Sequence, residues 1–168
     1  MIHIREELLK ELANLGVKLL IETIPKWIKG KIKPKSQDES KATYTKIIKK
    51  EDGKIDWQKP AKYIEREIRA YFPWPESYAF WRREKSNELL KIKILKARVY
   101  ASPNSMTYPT GKTLIAPQNE LCVQCGSGIF GGKKEFLIIE KLKLEGKKEM
   151  LSEDFLRGYP DFIGTILE

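Results

Sequence analysis

The clearest pattern of apolar and polar positions lies near the middle of the chain, where apolar residues recur every three or four positions. These residues are Ala61, Ile64, Ile68 and Phe72. Charged residues fill most of the positions between them, so the spacing predicts one amphipathic helix. Pro60 suits the first turn because its missing N–H is not needed there, and Pro73 disfavours helical backbone at the residue before it. We therefore predict a helix from about Lys59 to Phe72.

A second helical pattern covers the first thirty residues. Its apolar members are Ile4, Leu8, Leu12, Leu15, Leu19, Leu20, Ile24, Trp27 and Ile28. Gly16 interrupts the pattern and follows an asparagine and a leucine, a combination typical of a helix end. We therefore predict two helices, at about 3–14 and 17–29, the second of which ends at Gly30. A two-helix segment with so wide an apolar stripe cannot be stable alone and is expected to pack on another surface.

Shorter stretches on both sides of the central helix predict strands. The strand candidates are 42–48, 55–57, 77–82, 89–100, 112–116, 120–125 and 135–144. The first two flank a hairpin turn at 51–54, and the glycine-rich stretch 126–132 predicts a hairpin loop rather than a phosphate cradle. A short last helix is expected from Ser152 to Gly158. Several short antiparallel strands around one helix predict a mainly β fold with helices, organised as a small OB-like antiparallel barrel.

The distribution of charged residues indicates a linker between the first helices and the strand-rich region. The net charge is +9, and residues 26–50 alone contain nine lysines against two acidic residues. Residues 31–42 have no periodicity, and Pro34 opposes regular structure, so this stretch predicts an extended basic linker. We therefore predict a helical segment at 1–30, a linker at 31–42 and the barrel at 43–168.

The distribution of lysines indicates a polyanionic partner. Lys91, Lys93 and Lys96 alternate with apolar residues, which predicts a half-buried strand with a basic outer face. Together with the linker and the lysines after Gly146, this face could form a positive track that binds backbone phosphates without reading a nucleotide sequence. The ordinary alternative is a solvated run of charge with no partner.

Few residues offer catalytic or metal-binding chemistry. His3 is the single histidine of the sequence, so a serine or cysteine triad would lack its base. Cys122 and Cys125 have the spacing of a redox or zinc pair, but residues three apart on a strand point to opposite faces, and zinc takes four ligands. We predict buried structural cysteines, and neither catalytic residues nor a metal site.

The sequence contains no pattern of a signal peptide or of a membrane-spanning segment, and this bears on the cellular compartment. Acidic and basic residues occupy the start of the chain where a signal peptide has an apolar core, and no apolar run is long enough to span a bilayer. Two cysteines provide no disulfide framework. We therefore expect a cytoplasmic protein with no membrane partner.

Five short motifs follow one another along the chain. They are Ala-Asn-Leu-Gly at 13–16, Lys-Pro-Lys-Ser-Gln-Asp-Glu-Ser-Lys-Ala-Thr-Tyr at 33–44, Glu-Asp-Gly-Lys-Ile-Asp-Trp at 51–57, Ile-Arg-Ala-Tyr-Phe-Pro-Trp-Pro at 68–75 and Gly-Lys-Lys-Glu-Met at 146–150. In this order, and over nearly the whole chain, they resemble the C-terminal half of the methionyl-tRNA formyltransferases. Single motifs of the series also occur in formyltetrahydrofolate dehydrogenases and sugar-amine formyltransferases, whereas the full series is more specific.

The resemblance implies a division of labour within a larger enzyme. In that family an α/β catalytic domain with an Asn, His and Asp set binds 10-formyltetrahydrofolate and formylates the methionine carried by initiator tRNA. A linker and the basic face of an OB-like barrel hold the tRNA. This sequence has no counterpart of the catalytic set, and His3 inherits no role. The resemblance therefore implies no catalytic residue and no cofactor in this chain, and no activity of the chain alone.

We therefore expect a tRNA-binding C-terminal part of a methionyl-tRNA formyltransferase, with initiator tRNA and a formyltransferase catalytic domain as partners. On this interpretation residues 1–30 resemble the end of the catalytic domain. The residues predicted to hold tRNA are Lys29, Lys31, Lys33, Lys35, Lys41, Lys46, Lys49, Lys50, Lys91, Lys93, Lys147 and Lys148. Two alternatives stay open, a free-standing OB-like RNA-binding module without formyltransferase activity and an accessory domain of a sugar or folate formyl-transfer enzyme.

Overall fold

A computed structural model of the protein describes residues 4–84, 86–101, 108–127 and 135–168. These residues divide into two units, Met1–Ile48 and Lys49–Glu168. His3 and most of the predicted glycine-rich loop lie outside the described residues. The predicted boundaries at 30/31 and 42/43 stay predictions.

The first unit contains one long helix, α1, from Arg5 to Ile28. The prediction of two helices, 3–14 and 17–29, is therefore wrong. Gly16 does not end the helix, because a helix interior accepts glycine for about 1 kcal/mol relative to alanine. A side chain at Gly16 would meet nothing within 4 Å, so no close approach of backbone requires a glycine there. Among the described residues, no helix is both long and apolar enough to cross a bilayer.

The predicted hairpin between 42–48 and 55–57 is also wrong. Residues 42–48 form no strand, and the predicted turn is a 3₁₀ helix, Lys50–Gly53. The Asp52 carboxylate accepts a hydrogen bond from the Lys49 N–H at 2.8 Å, and such local side-chain capping competes with strand pairing. In the segment 55–57, the Ile55 N–H instead donates a hydrogen bond to the Tyr78 carbonyl oxygen at 2.8 Å.

The second unit is built on one antiparallel sheet of six strands. The strands are β1 Ser77–Arg82, β2 Leu89–Tyr100, β3 Thr113–Ala116, β4 Glu120–Gln124, β5 Phe136–Leu144 and β6 Met150–Leu151. Their order is β1-β2-β5-β4-β3, with β6 paired to β5. Five of the strands occupy the predicted stretches, because alternating apolar residues set both their position and their buried face. The two-residue β6 was not predicted.

The two ends of this sheet are joined by the segment 164–168. Lys112 and Ile166 form an antiparallel bridge, and the Thr113 N–H donates to the Thr165 carbonyl oxygen at 2.9 Å. On the other side, Phe80 and Glu168 exchange two backbone hydrogen bonds of 2.9 Å. The segment therefore covers the free edges of both β3 and β1 and closes the curled sheet. The predicted fold class, mainly β with helices and OB-like, is confirmed.

Two short helices pack on the sheet. Helix α2, Ala61–Tyr71, agrees with the predicted central helix and buries Ala61, Ile64 and Ile68 against the main core. Helix α3, Ser152–Gly158, buries Phe155 in the same core. The start of α2 is fixed by the Gly126 N–H, which donates to the carbonyl oxygens of Trp57 at 2.8 Å and Lys59 at 3.1 Å.

The cysteines follow the predicted alternation. Cys125 lies in the main core, whereas Cys122 belongs to a second, smaller cluster with Phe136 and Ile138. Both thiols are free and buried, as predicted for structural residues. Burial, with a smaller contribution from the charge of Glu120, raises the pKa of the Cys122 thiol to about 11, so this thiol stays protonated and unreactive at neutral pH.

Candidate nucleic-acid interface

The connector after α1 presents lysines at every second position. They are Lys29, Lys31, Lys33 and Lys35. All four are exposed, and residues 31–38 contain neither helix nor strand. Pro34 additionally holds the residue before it in extended backbone. Within the described part of the chain no ion pair engages these lysines, so their charges face solvent together.

The next two connector lysines have partners. The Lys41 Nζ lies 3.2 Å from the Asp38 carboxylate, and Lys46 also makes an interaction within the chain. The structure therefore separates the first four predicted lysines, which have no ion-pair partner in the described ranges, from Lys41 and Lys46. Sequence spacing could not make this distinction, because the pairing depends on the 3₁₀ turn Glu39–Lys41 that follows Asp38.

An aromatic side chain accompanies this connector. Tyr44 is 93% exposed and Ile47 is 85% exposed, so neither side chain is packed in a hydrophobic core. Tyr44 was not among the predicted binding residues. Its signal in the sequence is an aromatic residue among lysines in a polar segment, the combination that binds single-stranded nucleic acid by stacking and charge.

In the second unit, two predicted pairs of lysines are also exposed. Lys49 and Lys50 lie at the 3₁₀ turn before β1, and Lys147 and Lys148 lie in the turn between β5 and β6. Among the described residues none of the four has an ion-pair partner. These turns therefore carry free positive charge on the barrel.

The lysines of β2 are arranged differently. The Lys93 ammonium pairs with the Glu76 carboxylate. The Lys91 Nζ lies 3.9 Å from a Glu145 carboxylate oxygen and 4.0 Å from the centre of the Tyr78 ring. Lys96 pairs with Glu140 at 2.8 Å. Lysine does follow the predicted face of β2, but carboxylates from neighbouring segments lie among the ammonium groups, so the face is not continuously positive.

Glu76 is the centre of this neutralised surface. Its side chain is only 12% exposed and lies between Lys93 and Lys143, with 3.0 Å to the Lys143 Nζ. Burial by itself raises the pKa of this carboxyl, but hydrogen bonds from the two lysines outweigh burial, and the pKa of Glu76 falls below its ordinary 4.5. The charged form of Glu76 therefore stabilises the fold.

Replacing Glu76 with glutamine is expected to lower the free energy of unfolding by about 1–3 kcal/mol at pH 7. The folded-state pKa is depressed, so the stabilisation is complete above pH 4.5 and disappears as the pH falls through the folded-state value. Urea unfolding of both proteins at pH 7 and pH 3 measures this. The difference between them should be smaller at the lower pH, because more of the Glu76 carboxyl is protonated there.

Glu149→Gln is the matched control for this experiment. Glu149 pairs with Lys141 at 2.6 Å, but its side chain is 55% exposed, and exposed pairs contribute less than about 1 kcal/mol. A Glu76→Gln protein as stable as the control at pH 7 would contradict the role given to Glu76.

The second unit and the end of the first match a known family. The formyl transferase C-terminal domain family matches residues 47–160. Three relatives, each named methionyl-tRNA formyltransferase, show the extent of the similarity. The Chloroflexus aurantiacus protein is 46% identical over 103 residues, which are 61% of this chain and 31% of the relative. The Roseiflexus castenholzii protein is 36% identical over 151 residues, 90% of this chain and 44% of the relative.

The third relative matches a larger share of the chain. The Pseudoalteromonas translucida protein is 36% identical over 159 residues, which are 94% of this chain and 46% of the relative. The chain thus spans less than half the length of each of these three relatives. The predicted resemblance to the C-terminal half of these enzymes is confirmed, and the chain belongs to the formyl transferase C-terminal domain family.

Proposed function

We propose that this chain binds tRNA for a methionyl-tRNA formyltransferase. The observation that carries the proposal is the row of exposed lysines at 29, 31, 33 and 35, which have no ion-pair partner among the described residues and lie on a connector without secondary structure. Alternate residues of an extended chain lie about 6–7 Å apart, so the ammonium groups can contact successive phosphates of one strand. The similarity to methionyl-tRNA formyltransferases favours tRNA as the polyanion that these lysines bind.

The other exposed groups support the same proposal. Tyr44 offers a ring on which an unpaired base can stack, next to the connector charges. Lys49, Lys50, Lys147 and Lys148 add phosphate contacts on the barrel. Phosphate contacts position a nucleic acid but do not read its sequence, so this chain supplies affinity, and selection of initiator tRNA belongs to another part of the enzyme.

Helix α1 supports a catalytic domain as the protein partner. Large apolar side chains on it are 46–78% exposed. At 100° per residue, Leu8, Leu12, Leu15 and Leu19 lie on one side, while Leu20, Ile24 and Ile28 lie on another. A helix that is apolar on more than one side is normally buried. We infer that these sides pack on a formyltransferase catalytic domain, in the same polypeptide or in a separate chain.

Formyl transfer itself would then be the work of that catalytic domain. The proposal assigns 10-formyltetrahydrofolate and the catalytic residues to it, and assigns no cofactor to the residues of this chain. The complete enzyme would act in the cytoplasm, where tRNA is charged and used in translation. This chain contributes the docking of the tRNA.

Replacing Lys31, Lys33 and Lys35 with alanine is expected to flatten the salt dependence of tRNA binding. Each phosphate that is no longer neutralised by a lysine removes about 0.7–0.9 from the slope of log K against log salt, so three such phosphates lower the slope by about 2–3. Binding of the purified chain to initiator and elongator tRNA across a salt series measures this. Both tRNAs should respond equally.

A variant with Lys62, Lys96 and Lys141 replaced by alanine is the matched control. It loses the same net charge, but Lys96 and Lys141 already have carboxylate partners at 2.8 and 2.6 Å. A slope that falls equally in both variants would mean that the connector lysines contribute only net charge and make no specific phosphate contacts. Strong binding of unrelated RNA with no affinity for a formyltransferase catalytic domain would instead favour a free-standing RNA-binding module.

A further inference from the structure

One side of helix α1 carries four leucines in the spacing of a coiled coil. We call Leu8, Leu12, Leu15 and Leu19 the leucine seam. Their steps of four, three and four residues alternate between d and a positions of a heptad. At about 100° per residue they lie within about 60° of one another. Because α1 continues through Gly16 without a break, all four leucines form one stripe on a single helix.

The leucine seam is exposed to solvent in the chain as it stands. No residue of α1 is buried, and the four leucines are 46–63% exposed. Soluble proteins rarely leave several large apolar side chains together in water, and such patches mark interaction sites. The seam is therefore suited to pack against another apolar surface.

Two copies of the seam fit each other when their helices run antiparallel. In antiparallel coiled coils the a positions of one helix pack with the d positions of the other. With the two helices centred on the middle of the seam, Leu12 faces Leu15 of the second copy, and Leu8 faces Leu19. All four layers then contain two leucines each. The surface is complementary to itself, as the two-fold interface of a symmetric dimer must be.

The charges next to the seam favour the antiparallel direction. In that direction the layer at each end places Arg5 opposite Glu22 of the second copy. Both residues are exposed, and among the described residues neither has an ion-pair partner within its own chain. In a parallel pair identical residues would meet, so Arg5 would face Arg5 and Glu22 would face Glu22. Like charges at such positions are destabilising.

The other apolar side of α1 does not have this symmetry. Ile24 and Ile28 lie on it, but Glu6 and Lys10 occupy the same side near the start of the helix, because residues about five turns apart share one angle. Antiparallel pairing there would place charged groups against isoleucines, which is unfavourable. The symmetry is therefore specific to the leucine seam.

We propose that the chain, when no catalytic domain is bound, forms a dimer through antiparallel pairing of two leucine seams. A catalytic domain packed on the same leucines would exclude the second copy, so the dimer and the docked state are alternatives. The side that carries Ile24 and Ile28 is not used by the dimer. This inference goes beyond the proposed function and does not depend on RNA binding.

Sedimentation equilibrium of the full chain without tRNA, across a concentration series, tests the dimer. The mass of the wild-type protein should rise towards that of two chains. In the double variant Leu12→Gln and Leu15→Gln, dimerisation should weaken at least about tenfold, because amides replace the central leucines. The double variant Leu20→Gln and Ile24→Gln is the matched control and should dimerise like the wild-type protein. Glutamine is a good helix former, so α1 is kept in both.

Exchange of the two charges tests the direction of pairing. Arg5→Glu alone, or Glu22→Arg alone, should weaken dimerisation at least about fivefold, because two opposite-charge pairs become like-charge pairs. The double variant with both changes should recover the wild-type affinity. In a parallel dimer neither single change would weaken the association, so an unchanged affinity of the single variants would overturn the antiparallel arrangement.

The dimer can be rejected independently of tRNA binding. A wild-type chain that stays monomeric over the whole series, or that forms assemblies larger than two chains, would overturn the proposal. Equal dimerisation of the seam variant and its control would do the same. Leucine and glutamine are both uncharged, so these variants leave the connector charges unchanged. A lost dimer with an unchanged salt slope of tRNA binding therefore separates the two roles.

Discussion

Replacing Gly126 with alanine is expected to destabilise the barrel by about 3 kcal/mol or more. A Cβ at this position would lie 1.9 Å from the Gln58 carbonyl oxygen and 2.5 Å from its carbon. Both are backbone atoms, so no side-chain rotation can relieve the overlap. The start of α2 would have to move, and the hydrogen bonds from the Gly126 N–H to Trp57 and Lys59 would break with it.

Gly158→Ala is the control for this substitution. Gly158 lies in α3, and an added Cβ would meet nothing within 4 Å. Since alanine favours a helix over glycine, the control should be unchanged or more stable by less than about 1 kcal/mol. Urea unfolding followed by circular dichroism gives both values. Equal stability of the two alanine variants would mean that α2 does not approach Gly126 in solution.

Replacing Trp81 with alanine is expected to lower the free energy of unfolding by about 3–5 kcal/mol. Trp81 is fully buried, and its ring meets three aromatic rings edge to face. The centroid distances are 6.2 Å to Phe155, 5.8 Å to Tyr159 and 5.1 Å to Phe162. Alanine would leave a cavity between β1 and α3, so the sheet and the helix would no longer pack closely at this point.

Trp74→Ala provides the comparison for Trp81→Ala. Trp74 is 50% exposed, so the same change of side chain removes much less buried surface. Its expected loss of stability is less than half of that at Trp81. Thermal unfolding of the two variants ranks them, and a larger loss at Trp74 would show that burial at Trp81 does not decide stability here.

Local pattern was sufficient to predict most of the barrel. Alternation identified β1 and β2, and the spacing of Ile64 and Ile68 identified α2, because each pattern depends only on neighbours in sequence. Gly16 shows where such reasoning fails. The same glycine can end a helix or lie within one, and the choice depends on the residues that follow, which here continue an apolar repeat to Ile28.

The candidate interface was predictable only in part. The connector lysines were found from their density, which needs no knowledge of the fold. The pairing of Lys93 with Glu76 was not found, because the two residues come together through strand register and a turn with positive φ at Glu76.

Closure of the sheet by residues 164–168 determines when this barrel can complete folding during synthesis. The backbone partners of Phe80 and Thr113 lie about fifty or more residues later in the chain, and pairings of such high sequence separation form slowly. Until Glu168 has left the ribosome, β1 and β3 expose unpaired backbone groups that another nascent chain could pair with. This late-translated segment therefore protects the barrel from aggregation as well as closing it.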